Sequence, residues 1–289
     1  MVELFFLKEE EIWGVNALGI FDKLEQGRKA VLTDFARCMG AHIDDISGYG
    51  YYWTQSDDGN GNVHVVLING SEGYGTIDDI GIGGRPAVKY SDLLDNVPYG
   101  IFGETPEGVD TFMAGTWLQK KVSNEMSQKL TLMLEAGKLP IMEDEHIEID
   151  YPFLKDMRFD MLELPRYTLR GRQYTRFQIF GPDGDGVQMS DGSFAEFAND
   201  YWFEWLPIIW LIDEEKDIAI SQDILFTGIA INTSETYDGN FEKTRMGHFL
   251  RALSKEIRLE KDFILNYAYD SKGKTGFRLN KILGKNKKY

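Results

Sequence analysis

Cysteine is nearly missing from this sequence: Cys38 is the one thiol in 289 residues. A single cysteine excludes an internal disulfide framework and any metal site built on a cysteine pair. Cys38 stands in an apolar stretch of helical spacing, where a small buried hydrophobe is the expected role. Histidine is scarce as well: His42, His64, His146 and His248 are scattered, with no ligand-like i,i+4 pair among them. No apolar run reaches 18 residues, so no membrane span is expected. Basic residues are outnumbered, 31 Lys and Arg against 47 Asp and Glu, for a formal net charge of −16. Nucleic acid needs a basic face, so it is not an expected partner, and solubility is the plain meaning of the charge. The opening MVELFFLKEEEIWG has neither a basic n-region nor a long apolar core. No secretory leader is expected, and the reading is a soluble, cytoplasmic protein. A phosphate loop, a nucleophile elbow and a dinucleotide fingerprint are lacking too, so no cofactor is expected.

What is present is ordinary for a folded domain: 43% apolar and 27% charged residues, enough for one large core or two smaller ones. Thirty glycines and fourteen tyrosines against eight prolines suggest many turns and amphipathic strands. The organising stretch is Tyr51 to Leu93. An aromatic run, Tyr51-Tyr52-Trp53, leads to a turn at Asp57-Asp58-Gly59-Asn60-Gly61-Asn62. Val63 to Ile68 follows as a strand, then a second turn at Asn69-Gly70. Asp-Gly and Asn-Gly between apolar runs predict hairpins, because type I′ turns need positive φ at both central residues. Asp57, Asp58, Asn60 and Asn62 echo the oxygen spacing of a calcium loop, as do Asp183 and Asp185. Neither loop has the distal bidentate Glu, and Asx turns explain both, so no metal site is expected.

Elsewhere, Val2 to Leu7 reads as a short strand. Lys29 to Met39 reads as a helix capped by Thr33 or Asp34 and stopped at Gly40. The stretch from Asp95 to Pro106 reads as a connection plus a strand. Ser123 to Ala136 places Met126, Leu130, Met133 and Leu134 on one helical face, with Gly137 past its end. The acidic run Met142 to Asp160 reads as a solvated loop or edge. Thr168 to Phe180 alternates like one strand. The densest block gives two strands, Phe203 to Ile212 and Ile218 to Ser221, joined by an acidic turn. Thr244 to Ile257 reads as an amphipathic helix with Thr244 as its cap. The basic end from Ser271 reads as a frayed or lightly docked terminus.

Two sets of residues together resemble a bacterial family known chiefly as a domain of unknown function. Thr33-Asp34-Phe35-Ala36, Tyr52-Trp53-Thr54-Gln55-Ser56 and Gly84-Arg85-Pro86-Ala87 are similar to that family's closing half. Tyr99-Gly100, Pro207-Ile208-Ile209-Trp210-Leu211-Ile212, Ala219-Ile220-Ser221 and Phe249-Leu250 are similar to its opening half. The resemblance implies an α+β fold of C-type-lectin-like or sulfatase-modifying-factor-like type, with short strands, turns and a few amphipathic helices. Two departures stand out. Gln55 replaces the family's usual arginine, and the halves stand in permuted order, 1–95 as the closing half and 96–289 as the opening half. That order implies a permuted single domain or two half-domains that complete each other, sharing one core. The enzymes of this fold group use a cysteine pair or a histidine triad, and neither chemistry transfers here.

The leading functional expectation is therefore a non-catalytic binding or interaction module for a protein or glycan. Trp53, Gln55, Arg85 and Tyr74 are the candidate ligand-binding residues, although a structural role is the default for Arg85, held extended before Pro86. The alternatives are an enzyme with an unassigned site near Arg85 and acids such as Asp57 or Asp79, or a phage or surface-display receptor-binding component.

Overall fold

Aromatic and β-branched residues favour a pleated, buried surface, and the densest run of them forms one long strand on which the fold is arranged. The computed structural model describes residues 2–8, 11, 31–42, 50–66, 72–96, 99–106, 108–142, 164–179, 186–232, 237–256 and 281–284. Among these the strands are β1 (Tyr52–Asp57), β2 (Asn62–Val66), β3 (Glu72–Thr76), β4 (Ala87–Lys89), β5 (Tyr99–Glu104) and β6 (Asp110–Lys121). They continue as β7 (Tyr167–Leu169), β8 (Arg172–Gln178), β9 (Val187–Gln188), β10 (Phe194–Ala195), β11 (Asp200–Asp213), β12 (Ile218–Ser221) and β13 (Lys281–Gly284). The helices are α1 (Asp34–Cys38), α2 (Tyr90–Asn96), α3 (Asn124–Glu135) and α4 (Arg245–Glu256). The fold is α+β, built mostly on antiparallel sheets with few helices. None of the described helices is long and apolar enough to cross a membrane.

The main sheet runs β13-β5-β6-β11-β12-β4. Along one side β11 pairs with β6; on its other side β8 takes the first half and β12 the second. Pro207 lies inside β11, where a missing N–H would break a regular ladder. The register with β6 shifts between Pro207 and Ile209, and the side-chain amide of Gln119 donates to Pro207 O at 3.0 Å. The buried indoles of this sheet are satisfied. Trp210 Nε1 donates to Ala114 O at 3.0 Å, Trp117 Nε1 to Leu225 O at 2.8 Å and Trp205 Nε1 to Thr175 Oγ1 at 2.6 Å. One core cluster contains Val2, Phe6, Phe35, Trp53 and Val88 from the first 95 residues with Trp117, Trp205, Trp210, Phe226 and Leu250 from the remainder.

The short motifs have structural work in this core. Thr33 caps α1, accepting from Ala36 N at 3.1 Å while its hydroxyl donates to Leu225 O at 2.8 Å. Asp34 is buried, and its two carboxylate oxygens accept from Lys121 N at 2.7 Å and Ser190 N at 2.9 Å. A carboxylate on two backbone N–H groups ties the helix to the end of β6 and to the turn after β9. Gly83 and Gly84 run between β1 and residues 224–226, with Gly83 N on Tyr51 O and Gly84 N on Phe226 O at 2.8 and 2.7 Å. A Cβ on Gly84 would enter the Phe226 ring. Cys38 is fully buried with Sγ 4.0 Å from Met189 Sδ, and burial pushes its thiol well up, which leaves it inert.

Several expectations need correction. The helix expected over Lys29 to Met39 is confined to Asp34–Cys38, because Val31 and Leu32 are extended and Leu32 bridges Ile224. The single strand expected over Thr168 to Phe180 is the hairpin β7–β8, turned at Arg170 (φ 54°) and Gly171. β6 and α2 were not expected at all. Lys281–Gly284 in the basic terminus pairs with β5. Both strands of the dense block, the helix α3, and α4 with Thr244 Oγ1 accepting from Gly247 N at 3.0 Å lie where the sequence placed them. The acidic run beyond Met142, His146, the Asn69-Gly70 turn and Asp183 with Asp185 lie outside the described residues.

Candidate functional site

The register of the β1-β2-β3 meander decides which of the expected site residues can meet. Trp53 is paired with Val65, while His64 is paired with Tyr74. Successive side chains of a strand point to opposite faces. Trp53 with Val65 therefore faces one way, and His64 with Tyr74 the other. The Trp53 face is the core side. Its ring packs where Gly75 has no side chain, since a Cβ there would lie 2.8 Å from the indole. Trp53 is 1% exposed, and among the described residues nothing accepts from its Nε1. The opposite face is open at Tyr74, which is 61% exposed with its ring centroid 4.4 Å from that of buried His64. Thr54 Oγ1 donates to His64 O at 2.9 Å and steadies the pair from β1.

Arg85 lies at the buried end of the meander. Its Nε donates to Ser221 O at 2.8 Å and its Nη1 to Tyr52 Oη at 3.2 Å, with the guanidinium 5.2 Å from the Tyr52 ring centre. Burial raises the Tyr52 hydroxyl pKa while Arg85 pulls the other way. At 2% exposure, Arg85 joins β1 to the end of β12 inside the protein. Gln55 is half-buried, and its backbone donates to Leu7 O at 3.1 Å and accepts from Tyr237 Oη at 2.7 Å. The four candidate residues are not brought together: Tyr74 alone is open, and Trp53 and Arg85 are packed away from solvent.

The Asp57–Asn62 turn is self-contained. Asp57 Oδ1 accepts from Gly59 N at 2.8 Å. Asp58 accepts from Asn62 Nδ2 at 2.8 Å, Asn60 N at 2.7 Å and Asn62 N at 3.1 Å. The side-chain bond from Asn62, then the backbone bond from Asn60, holds the Asp58 carboxyl down at about 2. Both carboxylates thus close Asx turns. Among the described residues no three His, Cys, Asp or Glu side chains gather as a metal site.

The structure also pairs residues that sequence reasoning left apart. His42 Nε2 lies 3.2 and 3.3 Å from the two oxygens of Asp79, and His42 N donates to Gly81 O. Asp79 Oδ1 also accepts from Gly81 N at 2.7 Å. Only the Asp-x-Gly turn was readable beforehand; nothing in the sequence links His42 to a residue 37 positions on. Tyr237 is a further unforeseen member, its hydroxyl pKa raised by burial and then by Asp57 and Asp238. No family model matches the chain, and no curated protein or solved structure matches it.

Proposed function

We propose that this protein is a non-catalytic binding module on a C-type-lectin-like scaffold, taking a protein or glycan partner on the Tyr74 side of the meander. The observation that carries the reading is the Tyr74 ring, exposed on a strand and seated against His64. A tyrosine held this way offers contact area at low entropic cost, with an apolar face and a polar tip. Support for the scaffold comes from the motifs of the resembled family. Phe35 beside Thr33 and Asp34, Arg85 before Pro86 and Ala87, and Trp210 of the Pro-Ile-Ile-Trp strand all pack within the same protein interior.

An enzyme centred on Arg85 has less support. Its guanidinium bonds Ser221 and Tyr52, while Asp57 closes its own turn and Asp79 holds His42 and Gly81. A phage or surface-display receptor binder is a special case of the module, and genomic neighbours would single it out. The direct test is screening of full-length protein on glycan and peptide arrays beside Tyr74→Ala. Binding that depends on Tyr74 is expected; no binder above background on either array sinks the reading.

A further inference from the structure

Sheet edges present unpaired N–H and C=O groups, and proteins usually cover or guard them. This chain does so repeatedly. The outer edge of β1 is bonded by Gly83 and Leu7, through Trp53 N to Gly83 O at 3.0 Å and Gln55 N to Leu7 O at 3.1 Å. Phe5 exchanges both backbone bonds with Ala87 of β4, at 3.0 and 2.7 Å. β5 is covered by β13, which itself begins with Lys281. β7 is covered by residues 140–142, with Thr168 N on Pro140 O and Met142 N on Arg166 O. β3 is different: beside the two-residue strands β9 and β10, which also lack a further partner among the described residues, it is a five-residue edge. Its pairing with β2 runs over five residues without a register shift, and its sequence EGYGT contains neither proline nor lysine. Among the described residues no strand or bridge lies on its outer side.

We propose that β3 is a docking edge for an extended polypeptide segment of another molecule, which adds to the meander as a further strand. The proposal rests on the binding-module reading and names its partner class. Main-chain bonds to the outward groups of 72–76 other than Thr76 O, which already accepts from Asp79 N at 3.0 Å, supply the attachment, as in other strand-addition complexes. The added residue opposite Tyr74 lies against the flank of the ring that His64 leaves open, where Arg or Lys makes a cation–π contact. A cationic segment also suits the exposed Asp78 just past β3 and the chain's formal net charge of −16.

The test uses full-length protein and a phage-displayed library of linear peptides, beside a glycan array. The strongest peptide is then resynthesised with N-methyl groups on alternate residues, once for each parity. One parity should weaken binding about tenfold per methyl group and the other leave it unchanged, because alternate N–H groups of an added strand face β3. Amides of 72–76 should gain hydrogen-exchange protection on binding, and Tyr74→Ala should weaken the peptide while the protein still melts in one cooperative transition. Equal tolerance of both parities, or protection confined elsewhere, overturns strand addition. Glycan binding with no peptide binder overturns it too while leaving the module standing; no binder of either kind removes both.

Discussion

Trp210 lies at the centre of the main sheet, fully buried with its N–H on Ala114 O. Replacing it with Ala opens a cavity and should cost about 3–5 kcal/mol, read as a lower denaturant midpoint at an unchanged slope. A loss much below that range would mean that β6 and β12 close around the gap. Asp58 poses a different residue-scale question, because it is at the surface and works through hydrogen bonds. Its carboxyl is held at about 2 in the folded protein, below the ordinary value of about 3.9. A depressed folded pKa contributes stability above the unfolded pKa, and that contribution fades as pH falls through the folded one. The Asp58 carboxyl resonance should therefore still be moving below pH 3, and Asp58→Ala should differ least from the parent in stability near pH 2. A carboxyl that titrates near 4 in the folded protein removes the Asx-turn account.

Among the elements, the β1–β2 turn invites a calcium test. Asp57 and Asp58 already accept from Gly59, Asn60 and Asn62, so the melting temperature should not respond to millimolar Ca²⁺. A rise reversed by chelator contradicts this, since a ligand of the folded state alone raises apparent stability. Elements with one clear face or cap were legible beforehand: the β11–β12 hairpin, α3 by its apolar face and α4 behind Thr244. β6 was not. Eight consecutive residues, Thr111 to Leu118, are buried, so this strand shows no alternation for a period to reveal. α2 is short, with Tyr90 and Leu93 as its buried residues, and falls below what helical spacing can signal. The β7–β8 turn depends on Arg170 at φ 54°, a conformation that no arginine advertises. The candidate site was legible in residue type but not in placement. Trp53 and Tyr74 belong to the strands on either side of β2, and only the register assigns them to opposite faces.

For the whole molecule, the shared core makes a prediction about fragments. Segments 1–95 and 96–289 should not melt cooperatively alone, because Val2, Phe6, Trp53 and Val88 are buried in the same cluster as Trp210, Phe226 and Leu250. Co-expression should restore a single transition; two independent transitions with no mutual stabilisation would refute a common interior. The N-terminal segment has a consequence for synthesis. Leu4 N donates to Ser254 Oγ across 250 residues, and Phe5 bonds Ala87, which β12 holds in the sheet. At about 5–20 residues per second, the ribosome needs on the order of 10–50 s to reach the partner of a residue it made first. Through that interval Val2, Leu4 and Phe6 have no native place to go. Leu4 is made 250 residues ahead of Ser254 and cannot complete its place until Ser254 has emerged, so a long wait for its partner is written into the topology.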